Sequence, residues 1–263
     1  IPKHNVMVID IGAGSSKIVI AELKPINKKD TLDMGILQVK GLAWDKDVSG
    51  IGFDSKIVDF IAREYKKHYN IDVQLGGTNV RSTARLYEQA KKIKELLTPN
   101  EKISYRVEGI VEDKDMSVDF SREQFTEISK DLLQKLGQTI ARALKDANMT
   151  VADLDGIELV GGASRIPIVQ QAIVAHLGRG VGYSLNGDEA IAIGSSYFAA
   201  SQSSYFRVRS FQINDVYPYQ IEFSISNLAK QQEEKPSEEK LYSLIKHNDK
   251  FDAVRSINVP KTE

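Results

Sequence analysis

Two spacings of apolar residues alternate along this chain, and the points where one gives way to the other mark out its elements. Val6-Met7-Val8-Ile9 and Ile18-Val19-Ile20-Ala21 are short, β-branched runs bounded by glycine or polar residues, the pattern of buried strands. With the run that follows they predict three strands, 6–11, 17–23 and 34–43. The period then lengthens to that of a helix. Phe53, Ile57, Phe60, Ile61 and Tyr65 share one face over 53–68, and a second helix over 80–97 carries Lys91-Lys92-Ile93-Lys94 and stops before Pro99. Strands at 102–111 and 116–119 lead into Ser121-Arg122-Glu123-Gln124, whose serine and glutamine three residues on form a capping box. The box opens one long helix with the stripe Phe125, Ile128, Leu132, Leu136, Ile140 and Leu144. A strand at 156–160, a helix at 167–177 and a helix at 188–203, entered at Asn186-Gly187-Asp188, complete the series.

Strands first and then alternating helices and strands indicate one α/β domain ending near residue 205. Beyond it the texture changes. Phe206 to Phe211 is a short basic connector, Val216 to Ile225 a strand, 227–240 a polar and charged loop, and 241–246 and 253–259 two more strands. So few strands do not make an independent β-domain, and the tail is expected to be the start of one. The expected divisions are 1–205, a linker at 206–212, and 213–263.

Two of the buried strands end in glycine turns, Asp10-Ile11-Gly12-Ala13-Gly14-Ser15-Ser16 and Leu159-Val160-Gly161-Gly162-Ala163-Ser164-Arg165-Ile166-Pro167. Either one alone is as readily a simple turn supplying positive φ. As a pair they say more, because the first returns into a strand and the second opens a helix at Pro167. Hairpin amides can wrap phosphates as an anion nest, and a glycine-rich helix start admits a nucleoside or phosphate. Neither GxGxxG nor a lysine-bearing P-loop is present, so neither dinucleotide-fold nor P-loop chemistry is supported.

Charge and cysteine usage narrow the classes further. Lys plus Arg number 35 against 36 Asp plus Glu, a balance of −1, which argues against nucleic acid or a polybasic membrane surface as partner. No apolar run approaches the roughly 18 residues that span a bilayer. The absence of cysteine excludes disulfides, thiolate catalysis and zinc–cysteine sites. His4, His68, His176 and His247 lack metal-binding spacing, and no Ser-His-Asp order stands out. Opening on Ile-Pro-Lys-His, the sequence reads as a piece of something longer.

In this order the motifs resemble the actin-like, ribonuclease H-like ATPase superfamily, and within it the seventy-kilodalton heat-shock chaperones and their large relatives. Asp10 to Ser16 resembles the family's second phosphate hairpin, and Ser49-Gly50-Ile51-Gly52-Phe53-Asp54 its Gly-Gly-x-x-Phe-Asp turn. Leu159 to Pro167 is similar to its adenosine motif, and Asn186 to Ala190 to its second connecting helix. The likeness runs over residues 5–225 and implies lobe two of a nucleotide-binding domain, with a mixed sheet and flanking helices, followed by the first strands of a β-sandwich.

Several residues depart from the hydrolysing members. Ala13 replaces their middle glycine, Lys17 an acidic residue near the phosphates, and Glu95 the arginine that stacks on the base. The connector Phe206-Arg207-Val208-Arg209-Ser210-Phe211 lacks their leucine run. These departures resemble the large 110/170-kilodalton branch, whose members act as nucleotide exchange factors and holdases. Val216-Tyr217-Pro218 through Glu222-Phe223, Gly-x-Gly-Ser at 12–15 and Trp44 favour its endoplasmic-reticulum members, with the cytoplasm as the alternative compartment.

The resemblance implies ATP or ADP as ligand, with Mg2+ held through water and no direct protein ligand. Asp10 would face the metal-bound water, with Gly12, Ala13, Gly14, Ser15 and Gly50 near phosphate and Lys94 and Thr98 on the purine-clamp helix. Gly161, Gly162, Ala163, Arg165 and Ile166 would hold the nucleoside, and Asp188 would approach the phosphate cleft. Plainer roles stay open: Asp10 shaping its turn, Arg165 pairing with a carboxylate, Asp188 capping a helix. The implied partners are a seventy-kilodalton-class chaperone and, through sequence beyond this chain, unfolded polypeptides. An ATP-hydrolysing chaperone is the alternative, and another actin-like ATPase or a sugar kinase the second.

Overall fold

The computed structural model describes residues 3–24, 35–73, 80–111, 114–209, 211–224, 241–251 and 256. In chain order these form β1 (His4–Ile11), β2 (Ser16–Lys24), β3 (Gly35–Asp45), α1 (Gly50–Tyr69), α2 (Val80–Leu97), β4 (Lys102–Val111) and β5 (Lys114–Ser121). There follow α3 (Arg122–Ile128), α4 (Lys130–Asp146), β6 (Gly156–Val160), α5 (Pro167–Leu177), α6 (Ala190–Gln202), β7 (Phe211–Asn214), β8 (Ile221–Ser224) and β9 (Leu241–Ile245).

The main sheet has the order β6-β1-β2-β3-β7. Its first three strands are an antiparallel meander, and β6 adds to β1 in parallel. Alternation drives the packing: Met7, Ile9 and Ile11 on β1 and Ile18 and Ile20 on β2 are wholly buried. Leu132, Leu136, Ile140 and Ala143 of α4 belong to the same core, and α4 packs on β2 and β3. It lies so close that a Cβ on Gly41 would stand 2.4 Å from Ala147 N. Only glycine leaves room for that crossing.

A second layer is built by α1, α2 and the β4–β5 hairpin. Ile57, Ile61 and Tyr65 of α1 meet Leu86, Ala90, Ile93 and Leu97 of α2 and Val107 and Phe120 of the hairpin, all within one hydrophobic cluster. The capping box is present: Ser121 Oγ accepts from Gln124 N–H, and Gln124 Oε1 accepts from Ser121 N–H.

The single long helix expected after that box is two. Ser129, at φ −103° and ψ 6°, separates α3 from α4. Its N–H is shared between Phe125 O at 3.1 Å and Thr126 O at 3.2 Å, while Leu133 N–H reaches Ser129 O at 3.0 Å. Ser129 is thus bonded on both sides, to α3 through its N–H and to α4 through its carbonyl.

The tail also differs from expectation. Instead of remaining a connector, residues from Phe211 onward form β7 and pair in parallel with Gly35–Gln38 of β3. The strand expected from 216 begins at Ile221, and Val216 makes only an isolated bridge to Lys250. β8 and β9 pair with each other. Nearly all of the strand expected at 253–259, and the loop at 227–240, lie outside the described residues. Helix α6 begins two residues later than expected, and none of its residues is buried.

The tail is seated on β3 and α4 by directed contacts. Asp146 Oδ2 accepts from Leu42 N–H at 2.8 Å, and its Oδ1 meets Asn248 Nδ2 at 2.7 Å and His247 Nε2 at 3.1 Å. Trp44 and Tyr219 lie edge to face, 4.8 Å between ring centroids.

Candidate functional site

The β1–β2 hairpin closes through Gly12 N–H to Ser15 O at 3.0 Å. Ala13 and Gly14 are exposed at its tip, and among the described residues their amides meet no acceptor. The start of α1 holds the tip from behind. Gly50 N–H and Ile51 N–H donate to Gly12 O and Ala13 O, each at 2.9 Å, and Ser49 Oγ caps the helix by accepting from Gly52 N–H at 3.1 Å. The first amides of α1 are thus engaged within the protein, which leaves the hairpin tip as the open donor group.

The second glycine turn leaves β6, whose register sets Val160 beside Asp10. Both turns therefore emerge from the carboxyl ends of adjacent parallel strands, where open α/β sheets bind ligands. Gly161 has φ +85°, and a Cβ there would lie 2.5 Å from Ile11 O and 2.6 Å from Asp10 Oδ1. Its N–H donates to Gly187 O at 2.9 Å, and its carbonyl accepts from Ser164 Oγ at 2.7 Å. The two turns, far apart in sequence, are in contact.

A cleft of about 690 Å³ opens beside them. Ala13, Gly50, Lys94, Thr98, Gly162, Ala163, Arg165 and Ile166, all singled out in the sequence, line it together. Gly12, Gly14, Ser15, Gly161 and Asp10 lie in or under the turns, and Asp188 reaches the rim through Arg165; none of these six is part of the lining. Ile51, Asp54, Lys91, Glu95 and Pro99 complete the wall. Asp54 was visible in sequence as the residue one turn after Gly50, on the same helical face.

Three charge pairs stand at or beside the cleft. Lys94 Nζ lies 2.7 Å from Asp54 Oδ1, with side chains only 15% and 12% exposed. Burial pushes the Asp54 carboxyl up from its ordinary value, against the opposing pull of Lys94. Arg165 Nη2 lies 2.6 Å from Asp188 Oδ2 in a more exposed pair. Lys17 stands across the hairpin from Asp10, its Nζ 3.8 Å from Asp10 Oδ2. Of the plainer roles, Arg165 does pair with a carboxylate, whereas the cap position of α6 belongs to Glu189 rather than Asp188. Open amides, basic side chains and a flat apolar floor at Ala163 and Ile166 suit an anion joined to a planar group.

The sequence model of the Hsp70 protein family matches residues 2–255. This chain belongs to the Hsp70 family. Its mixed sheet with flanking helices is accordingly the actin-like ATPase fold of Hsp70, with a few further strands after it. Among Hsp70 relatives, it is 35% identical over 228 residues to a heat shock protein homolog of Naumovozyma castellii, covering 87% of this chain and 32% of that protein. It is 32% identical over 225 residues to hypoxia up-regulated protein 1 of Gallus gallus, covering 84% and 22%. For a heat shock protein homolog of Saccharomyces cerevisiae the identity is 34% over 219 residues, covering 83% and 30%. The chain thus spans a third or less of the length of these Hsp70 relatives.

Proposed function

We propose that residues 1–205 are the second lobe of an Hsp70-type nucleotide-binding domain and that the cleft beside the two glycine turns takes ATP or ADP. The observation that carries this reading is the hairpin tip. The unpaired amides of Ala13 and Gly14 stand at a cleft whose other walls are the second glycine turn and the basic face of α2. Phosphate fits the tip, and the nucleoside fits between Gly162–Ile166 and Lys94–Thr98.

The longer protein, in this reading, is a chaperone of the large branch, an exchange factor and holdase for a seventy-kilodalton-class partner, with residues 206–212 as linker and 213–263 as the start of the client-binding β-domain. Likeness to the two heat shock protein homologs and to hypoxia up-regulated protein 1 supports that branch. So do Ala13, Lys17, Glu95 and the leucine-free connector. The endoplasmic-reticulum lumen is the proposed compartment, on the resemblance of 216–223 and Trp44, over the cytoplasm. Strand β3 offers a route from site to tail. One end leads through Ser49 into Gly50, which holds the hairpin, and the other pairs with β7. The exposed apolar face of α6, with Ile191, Ile193, Tyr197 and Phe198, is in this reading covered by the rest of the domain.

The test is stopped-flow release of a fluorescent ADP analogue from a seventy-kilodalton-class partner, using the full-length protein saturated with ATP. Release should accelerate, and a variant that binds but does not cleave ATP should keep that activity, because bound nucleotide biases a conformation without being consumed. No acceleration, or its loss in the variant, would move the reading to an ATP-cycling chaperone.

A further inference from the structure

The carboxylates at the cleft bear on how phosphate charge is balanced there. Three of them face a basic partner, Asp54 pairing with Lys94 at 2.7 Å, Asp188 with Arg165 at 2.6 Å and Asp10 facing Lys17 at 3.8 Å, while Glu95 stands apart on the α2 wall. Among the described residues, no three histidine, aspartate or glutamate side chains gather where they could hold a metal ion.

A magnesium ion beside a nucleotide keeps several waters and is anchored by one or two carboxylates together with the phosphates. Asp10 is the carboxylate at the hairpin. Its Oδ1 is wedged against the second turn, where a Gly161 Cβ would stand at 2.6 Å, so Oδ2 is the oxygen left to face outward. That oxygen faces the Lys17 ammonium, fixed opposite by the strand register Asp10↔Lys17. A cation arriving there meets a like charge within 4 Å of the hairpin carboxylate. Phosphate arriving there meets an ammonium. The hairpin residues Asp10 and Lys17 therefore do not fit a hydrated divalent ion, and they do fit a polyphosphate.

We propose that this site binds a nucleotide polyphosphate without a divalent cation, the Lys17 ammonium taking the place of the metal beside Asp10. The inference rests on the nucleotide reading of the cleft. Lys17 is exposed and outside the core, so substitutions there leave the fold intact and act on the charge alone.

The experiment is calorimetric titration of ADP into the 263-residue chain, in excess Mg2+ and in excess EDTA, with the Lys17→Gln and Lys17→Asp variants in parallel. For the unsubstituted chain the two dissociation constants should agree within about threefold, a difference worth under 1 kcal/mol. Lys17→Gln should weaken binding about tenfold in both buffers, the scale of one charge-assisted phosphate contact. Lys17→Asp should bind about tenfold or more tightly in Mg2+ than in EDTA, because it restores a second free carboxylate. Mg2+ titrated alone should give no heat with the unsubstituted chain. Binding of the unsubstituted chain that needs Mg2+ overturns this inference and leaves the nucleotide site standing. Absence of ADP binding in both buffers, from folded protein, overturns the nucleotide reading and this inference with it.

Discussion

Gly161 is where the two turns touch, and its geometry leaves no freedom of substitution. With φ at +85° and a Cβ position 2.5 Å from Ile11 O, Gly161→Ala combines backbone strain with a backbone clash. It should cost about 2–4 kcal/mol of unfolding free energy by urea titration, whereas Gly162→Ala, which meets nothing within 4 Å, should cost under about 1 kcal/mol. Equal effects would mean that the turns do not touch. Asp54 makes a different kind of claim. Burial raises its carboxyl above the usual 3.8, so its contribution to stability is fully present below 3.8 and is lost as pH rises through the folded value. Melting temperatures from pH 3 to 7 should therefore show the unsubstituted chain losing ground to Asp54→Asn as pH rises. A gap that widens in the other direction would show that the Lys94 ion pair outweighs burial.

At the scale of elements, the strands and helices that build the site were legible because each carries one dominant signal. The β-branched runs gave β1, β2 and β6, the capping box gave the start of α3, and Pro99 gave the end of α2. The bend at Ser129 was hidden, since the apolar stripe continues across it and both backbone groups of Ser129 are hydrogen-bonded to neighbouring turns. β7 was hidden for another reason. A parallel strand of four residues owes its place to its partner β3 rather than to its own pattern. The Lys94–Asp54 and Arg165–Asp188 pairs belong to packing between elements, which spacing within an element does not encode. Seating of the tail is likewise a tertiary matter and can be tested. His247→Ala removes contacts to both Asp146 and Pro218, and Trp44, the only tryptophan, reports on the same junction through Tyr219. The variant should lose about 1–2 kcal/mol of tail docking, seen as red-shifted tryptophan emission and faster proteolysis within 241–251. Unchanged emission and unchanged cleavage would mean that β3 holds the tail without this contact.

For the whole molecule, two turns separated by most of the domain meet within an Hsp70-family fold and form the proposed nucleotide site. Phosphoryl transfer needs nucleophile and γ-phosphate enclosed and positioned together, and in the proposed reading this chain supplies one open side of such an enclosure. The 263-residue chain should therefore show no ATP turnover above a buffer control in a phosphate-release assay. Turnover that vanishes in Asp10→Asn would contradict this. The central claim is more directly a matter of location, and amide hydrogen exchange with and without saturating ADP measures it. Peptides covering 10–17, 91–99 and 159–166 should all slow together on adding ADP, while those covering 102–111 and 167–177 stay unchanged. Protection at only one of the two glycine turns, or at neither while ADP is bound, would contradict the claim that they form one site.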